Sequence, residues 1–424
     1  CRLKHVCTMA AGKAKPTDQI MTESFEGCYP CFGGNGIRGY VDEYNRDGIF
    51  SIVGRQGALC GNINIAKGKF YATEHAVVTT LFSGIDFNWS NYVLEALQLN
   101  SYATGAAQPG LSVANVLNVF VPVPPTQEQV HIGIRIAESI KIIENIEDEK
   151  ENLQTLISSA KSKILDLAIR GKLVLQNPND EPASVLLERI RAEKEELIKQ
   201  GKIKRDKKES IIFKGEDNSY YETISNNTIC IDEEIPFDLP DGWIWCRLKS
   251  LADPHENSFV DGPFGSNLKT DHYTDRREVR IIQLNNIGEF TWKNNGIKYT
   301  TYSHAETLSR CKSYPGDIVI AKMMPAGRAI IIPDIEDVYV ISSDCVRLQL
   351  PNYIDKRYVM YMINSPTINK SVMKNVQGIG RTRTSLSKLK ELLVPIPPYK
   401  QQCQISATFD KSLFYFDTIN ALCE

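Results

Sequence analysis

Residues 119–125 read VFVPVPP, and residues 392–398 read LLVPIPP. Fourteen residues upstream of each, GAAQPGLS (105–112) faces GIGRTRTS (378–385) at the same offset of 273. The offset continues downstream, where Ile132 falls on Ile405, Ile136 on Phe409, Ser139 on Ser412, Ile143 on Phe416 and Ile146 on Ile419. The other end of the unit repeats as well, since CRLKHV (1–6) matches CRLKSL (246–251). Agreement at both ends and in register predicts two diverged copies of one unit, each followed by a helix.

The first of these helices has a regular apolar spacing. Positions alternately four and three apart from residue 132 are Ile132, Ile136, Ser139, Ile143, Ile146, Lys150, Leu153, Ile157, Ala160, Ile164 and Leu167. Nine of these eleven are apolar, the pattern of a coiled-coil seam with two polar interruptions. Pro124 and Pro125 precede it, Thr126 is placed to cap it, and Gly171 stands where a helix ends. From 132 to 167 the rod measures about 50 Å. The spacing fits a helix packed on its own domain, or one paired with its repeat. A second helix in the same register favours pairing, with Ile405, Phe409, Phe416 and Ile419 as the partner seam.

Composition bounds the rest. A chain of 424 residues with 42% hydrophobic and 24% charged side chains is globular and too long for one core. No apolar run is long enough for a membrane span, and no basic-then-apolar leader precedes the chain, so a cytoplasmic location is expected. Eleven scattered cysteines read as reduced thiols. The net charge is −2, but local charge decides partners. Residues 1–125 carry 9 basic and 9 acidic side chains, residues 126–236 carry 17 and 22, and residues 237–398 carry 21 and 17. Only the third segment is clearly cationic.

The fold class is α+β. GIRGYVDEY, GIFSIVG and HAVVTTLF read as strands in the first unit. VRIIQLNNI, GDIVIAK, RAIIIP and VYVISSDCVRLQL read so in the second, with helical stretches at about 88–98 and 354–375. A further helix is expected near 184–200. The boundaries are 1–123 for the first unit, 124–208 for a central helical region, 209–236 for a polar, irregular linker, 237–396 for the second unit and 397–424 for the distal helix.

LDLAIRGKLVLQNPNDEPASVLLERIRAEKEELIKQGKIK (165–204) resembles the central region of the specificity subunit of type I restriction-modification systems. LPDGWIWCRLKSL (239–251) with DGPFGSNLK (261–269) resembles the entry to a target recognition domain of that family. VPVPPTQEQ and VPIPPYKQQ resemble the segments that close such a domain. The resemblance implies two target recognition domains joined and spaced by a long antiparallel coiled coil. Each domain would read one half of a bipartite DNA sequence. The expected partners are double-stranded DNA, two methyltransferase subunits and, further, restriction subunits. No cofactor and no catalytic residue belong to this chain, because S-adenosylmethionine would sit in the methyltransferase. Relative to the family, no LPDGWIW lead-in precedes Cys1, and the second helix stops at Glu424, the equivalent of Glu151. Both ends read as clipped.

Several motifs point to other chemistry and fail on context. Phe32–Gly36 matches the FxGxG cofactor loop of DNA methyltransferases, but such a loop follows a buried strand and opens a helix. Ile396–Tyr399 is one residue from NPPY, but Ile396 lacks the acceptor that an adenine amine needs. Cys28 and Cys31 form a CxxC without a second ligand pair, so no metal is expected.

Phosphates are held by Lys, Arg and amides, and base edges are read by Arg, Asn and Gln. In the first unit these criteria select Lys13, Lys15, Asn35, Arg38, Arg55, Gln56, Asn62 and Gln108. In the second they select Asn267, Lys269, Gln283, Asn285, Asn286, Lys322, Arg328, Arg381 and Arg383. The reading that follows is a non-catalytic DNA specificity subunit. Its rivals are the recognition half of a fused methyltransferase–endonuclease, which needs catalytic motifs, and a coiled-coil scaffold, which needs no cationic loops.

Overall fold

The computed structural model describes every residue except 106–108, 207–208, 226, 325, 375–382 and 424. The chain divides into two compact units, residues 1–149 and 150–424. Unit 1 holds β1 (Cys7–Ala11), β2 (Tyr29–Gly33), β3 (Gly36–Val41), β4 (Arg46–Gly54), β5 (Ile63–Ala72), β6 (Ala76–Leu81), α1 (Phe87–Ala96) and α2 (Val113–Val116). α3 (Thr126–Ile169) begins in unit 1 and ends in unit 2. Unit 2 continues with α4 (Ala183–Lys199), β7 (Ser210–Lys214), β8 (Tyr220–Ile224), β9 (Asn227–Cys230), β10 (Ile244–Arg247), β11 (Phe259–Asp261), β12 (Tyr273–Thr274) and β13 (Val279–Ile282). Then follow β14 (Tyr299–Thr300), α5 (Tyr302–Thr307), β15 (Lys312–Ser313), β16 (Ile318–Ala321), β17 (Ala329–Ile331), β18 (Tyr339–Ile341) and β19 (Cys345–Leu348). α6 (Lys356–Asn364), α7 (Pro366–Lys374), α8 (Leu386–Lys390), β20 (Leu393–Ile396) and α9 (Tyr399–Leu422) complete it.

Unit 1 is one six-stranded sheet in the order β1-β6-β4-β5-β2-β3, antiparallel except where β2 runs parallel to β5. Neighbouring β4 residues face opposite sides. Val53 packs with Trp89 and Leu94 of α1, whereas Ile52 packs with Phe32 and Phe70. In unit 2 the order β11-β19-β16-β17 restates β1-β6-β4-β5. The parallel β13–β18 pair restates β2–β5. One hairpin in unit 1 pairs without interruption from Arg46–Phe70 to Val53–Ile63. The same path in unit 2 is broken into β15 with β18 and β16 with β17. Pro315 follows β15 and Pro333 follows β17, and a proline has no N–H to give a ladder.

The repeat reaches single hydrogen bonds. The Leu3 amide donates to the Val119 carbonyl (2.9 Å), and the Leu248 amide donates to Leu392 (2.8 Å). After the double prolines a buried glutamine locks each helix to its unit. Gln129 Nε2 donates to the Pro124 carbonyl (2.8 Å), and its Oε1 accepts from the Asp86 amide (2.8 Å). Gln402 Nε2 donates to Pro397 (2.9 Å), and its Oε1 accepts from Asp355 (2.9 Å). Asp86 and Asp355 cap α1 and α6 by accepting from Trp89 and Tyr358. Replacing Gln402 with leucine leaves the Asp355 amide and the Pro397 carbonyl buried without partners. Each such group costs about 1–3 kcal/mol. Q402L is therefore expected to lose about 2–6 kcal/mol of stability in denaturant unfolding, and an unchanged midpoint would refute the lock.

Residues 209–236 correct the expectation of an irregular linker. β7, β8 and β9 form an antiparallel meander whose Ile212, Tyr220 and Ile231 bury against Trp245. Its strands are four or five residues long, and their core is completed by a tryptophan outside the stretch. The helical stretch expected at about 354–375 contains two helices, Lys356–Asn364 and Pro366–Lys374, broken where Pro366 starts α7.

The seam also needs correction. Ile132 is half-buried against the unit 1 core, and Ile136 is half-buried too. Ile143 and Ile146 are more than half exposed. Leu153, Ile164 and Leu167 are half-buried and Ile157 is buried. Ile405 and Phe409 are fully buried, in a core shared with Leu165, Ala168 and Ile169. Phe409 packs edge-on against Tyr361 of α6, with ring centres 4.6 Å apart. Phe416 is half-buried and Ile419 is exposed. The start of each helix thus packs on its own unit. Within unit 2, Leu153 and Ile157 line one cleft with Asn420 and Cys423, and Lys161 Nζ lies 3.8 Å from Asp417 Oδ1.

Candidate nucleic-acid interface

One end of each sheet is built on the same backbone frame. In unit 1 the Gly12 amide donates to Ala76 (3.1 Å), Arg55 to His75 (2.9 Å) and Leu111 to Arg55 (2.8 Å). In unit 2 Gly262 donates to Cys345 (3.0 Å), Lys322 to Asp344 (2.8 Å) and Thr384 to Lys322 (2.8 Å). Arg55 and Lys322 therefore occupy one position of the repeat. The two glycines are required by close approach. A Cβ would lie 2.0 Å from the Ala72 carbonyl oxygen at Gly12, and 1.8 Å from that of Ser342 at Gly262.

In unit 1 the frame gathers four of the eight selected residues. Gly34 approaches Gly54 and Gln56 closely, which sets the β2–β3 turn beside the end of β4. Asn62 Nδ2 donates to Asn35 Oδ1 (2.6 Å) across this end. Asn35, Arg55, Gln56 and Asn62 are all exposed there. Lys13 is exposed, and Arg38 is exposed with Nη2 donating to Thr17 Oγ1 (2.9 Å). Lys15 differs, because its ammonium pairs with Glu43 (2.9 Å) and lies 3.7 Å from Asp42. The Glu43 hydrogen bond holds that lysine charged above its usual range. Its charge is matched within the unit. Gln108 lies outside the described residues.

In unit 2 Asn35 has a counterpart in Asn285, each three residues past the carbonyl that receives the strand-end amide of Thr73 or Ser342. Asn285 is exposed. Asn286 is 1% exposed, its Nδ2 donates to the Lys293 and Asn295 carbonyls, and its Oδ1 accepts from the Gln283 amide. It holds its loop together and has no face for DNA, which corrects its selection. Gln283 is half-buried beside it. Asn267 and Lys269 are exposed in the loop after Gly262, near a fully projecting Phe264. Phe264 was not selected, and its glycine-flanked position in DGPFGSN was the available signal. Arg328 is half-buried near Asn364 and Asn369. Lys322 is buried and donates to Asp261 Oδ1 (2.8 Å), and Arg383 donates to Asp344 Oδ1 (2.7 Å). Arg381 lies outside the described residues.

The motifs of other chemistry sit in structural roles. Phe32–Gly36 turns between two strands, β2 and β3. Ile396 ends β20, and Pro397 receives the Gln402 amide. Cys31 is buried with Val41 and Tyr71, while Cys28 Sγ accepts from the Phe25 amide. No helix among the described residues is long and apolar enough to cross a membrane.

Two solved structures share this fold. A chain from a study of complex assembly and conformational transition in the type I R-M system superposes with TM-score 0.58 at 14% identity, covering 100% of this chain and 92% of that one. The HsdS subunit from Thermoanaerobacter tengcongensis gives 0.54 at 13% identity, covering 100% and 90%. At these identities the likeness shows the fold alone. The type I restriction modification DNA specificity domain model matches residues 1–155 and 274–421. The chain belongs to that family. The type I restriction enzyme EcoprrI specificity subunit of Escherichia coli is 46% identical over 132 residues, 31% of this chain and 33% of that protein. The EcoAI specificity subunit of Escherichia coli is 31% identical over 279 residues, 62% of this chain and 40% of that protein. The matches thus span 33% and 40% of these relatives' lengths.

Proposed function

We propose that this chain is the DNA specificity subunit of a cytoplasmic type I restriction-modification complex, each unit reading one half of a bipartite target. The observation that carries this reading is the duplicated frame, which exposes Asn35 and Asn285 at equivalent positions and places the cations Arg55 and Lys322 at another. The second half of α3 and α9 serve as an antiparallel coiled coil. The contacts of Leu153 and Ile157 beside Cys423, and of Lys161 beside Asp417, support it. Two methyltransferase subunits dock on the chain, and restriction subunits join them. The methyltransferases bring S-adenosylmethionine and the pocket that an extruded base needs. This chain positions DNA and performs no step of the reaction. A fused enzyme and a coiled-coil scaffold have no support in the comparisons.

The test is binding and methylation by the complex recovered from its host. Each phosphate contact releases condensed counterions, so about five contacts give a log–log salt slope near −4.5. Affinity should fall roughly 10²–10³-fold between about 50 and 200 mM salt. A flat response, or recovery without a methyltransferase, overturns the reading.

A further inference from the structure

The two reading edges share a frame but not its charges. Four positions lie together on it. In unit 1 they are Ala11, Arg55, His75 and Gly110, and in unit 2 Asp261, Lys322, Asp344 and Arg383. Arg55 is exposed, and among the described residues it forms no ion pair. Its counterpart Lys322 is held by Asp261, and Arg383 is held by Asp344. The two acids retain about a third of their side-chain exposure. Unit 2 thus carries an acid of its own beside each of these two cations.

Resting on the proposed DNA reading, we propose that Asp261 and Asp344 are specificity determinants that keep Lys322 and Arg383 from phosphates until a base edge offers an amino group to the acids. The physical reason is an exchange of partners. A phosphate that draws Lys322 away leaves the Asp261 carboxylate facing a polyanion without a cation. On the wrong sequence that carboxylate stays stranded. On the right one it accepts from cytosine N4 or adenine N6, the amino donors of the major groove. Among the described residues of unit 1 no acid pairs with Arg55: Ala11 stands at the Asp261 position, and Glu74 meets His75 instead (3.3 Å). At this frame Arg55 of unit 1 therefore supplies grip that is indifferent to sequence, with base reading in unit 1 left to Asn35, Gln56 and Asn62, whereas unit 2 adds discrimination through its two acids.

The experiment uses the full chain assembled with its methyltransferase subunits. Two duplexes are compared, one carrying the sequence methylated in the host genome and one scrambled. Asp344→Asn and Asp261→Asn each free one cation, so each should tighten binding to the scrambled duplex several-fold. Each should also steepen its salt slope by about 0.9, and the ratio of affinities should shrink. Ala11→Asp in unit 1 should do the reverse by pairing with Arg55. Asp344 is the safer variant for folding, since its side chain is partly exposed and its backbone bond to Lys322 is retained. Thermal unfolding checks this, and Asp344→Asn with Ala11→Asp carry the test if Asp261→Asn does not fold. Salt slopes and ratios equal to those of the unaltered complex overturn the proposal while leaving the DNA reading intact. An unaltered complex that binds neither duplex overturns the DNA reading itself.

Discussion

Replacing Arg247 with methionine is expected to destabilise unit 2 by about 3–5 kcal/mol, the range for stripping one partner from a buried ion pair. Arg247 ends β10, and its guanidinium meets the Glu222 carboxylate of β8 through two bonds, Nε to Oε1 at 2.9 Å and Nη2 to Oε2 at 2.5 Å. Nη1 reaches Glu234 (2.8 Å) and the Glu391 carbonyl (3.0 Å). One side chain therefore ties the β7–β9 meander to the strand pair that opens and closes the second repeat. Arg247 and Glu222 are both nearly solvent-free, so methionine strands a buried charge. For a unit of this size the midpoint should fall by roughly 10 °C. Acid narrows the gap. Burial pushes the Glu222 carboxyl up, but the hydrogen bonds and charge of Arg247 outweigh it and hold the carboxyl below its usual value. A carboxyl lowered in the folded state stabilises above its unfolded value, about 4.3, and loses that contribution as pH falls through the folded value. The difference between the native chain and R247M should be full at pH 7 and shrink below about pH 4.3. A pH-independent difference would show that the pair carries no weight. Arg2 is the counterpart in unit 1, and its Nη1 donates to the exposed Asn118 carbonyl. The same substitution there should be mild.

Exchanging residues 250–383 for those of a related subunit should replace one half of the methylated sequence and leave the other unchanged. The exchanged block lies inside the β10–β20 ladder and the Leu248–Leu392 hydrogen bond, which stay native. Where the block meets native chain, the Thr384 amide bonds to the residue 322 carbonyl through backbone alone. Unit 1 keeps Asn35, Arg55, Gln56 and Asn62 untouched. A single wrong base pair costs about 1–3 kcal/mol, so methylation of the old half-site should vanish. Methylome sequencing reads both halves at once. A change in both halves refutes independent reading by the two units.

The sequence by itself determined the repeat, the α+β class, the proline turns and the helices that follow them. These signals are local, because a period of 3.6, a double proline or an end glycine acts within a few residues. The glutamines of TQEQ and YKQQ were legible as a shared motif, but their bonds to Asp86 and Asp355 span 43 and 47 residues. Only the tertiary structure decided which side chains remain available to a ligand. Asn285 and Asn286 are adjacent and chemically alike, yet one faces solvent and the other closes its own loop. Arg55 and Lys322 occupy one position of the repeat, yet Lys322 is matched by an aspartate 61 residues away. The β7–β9 meander needed Trp245 to complete its core, and Ile143 and Ile146 fit the seam by spacing while more than half exposed. Periodicity fixes which face of an element a residue shares. Burial and ion pairing depend on what the rest of the chain brings to that face.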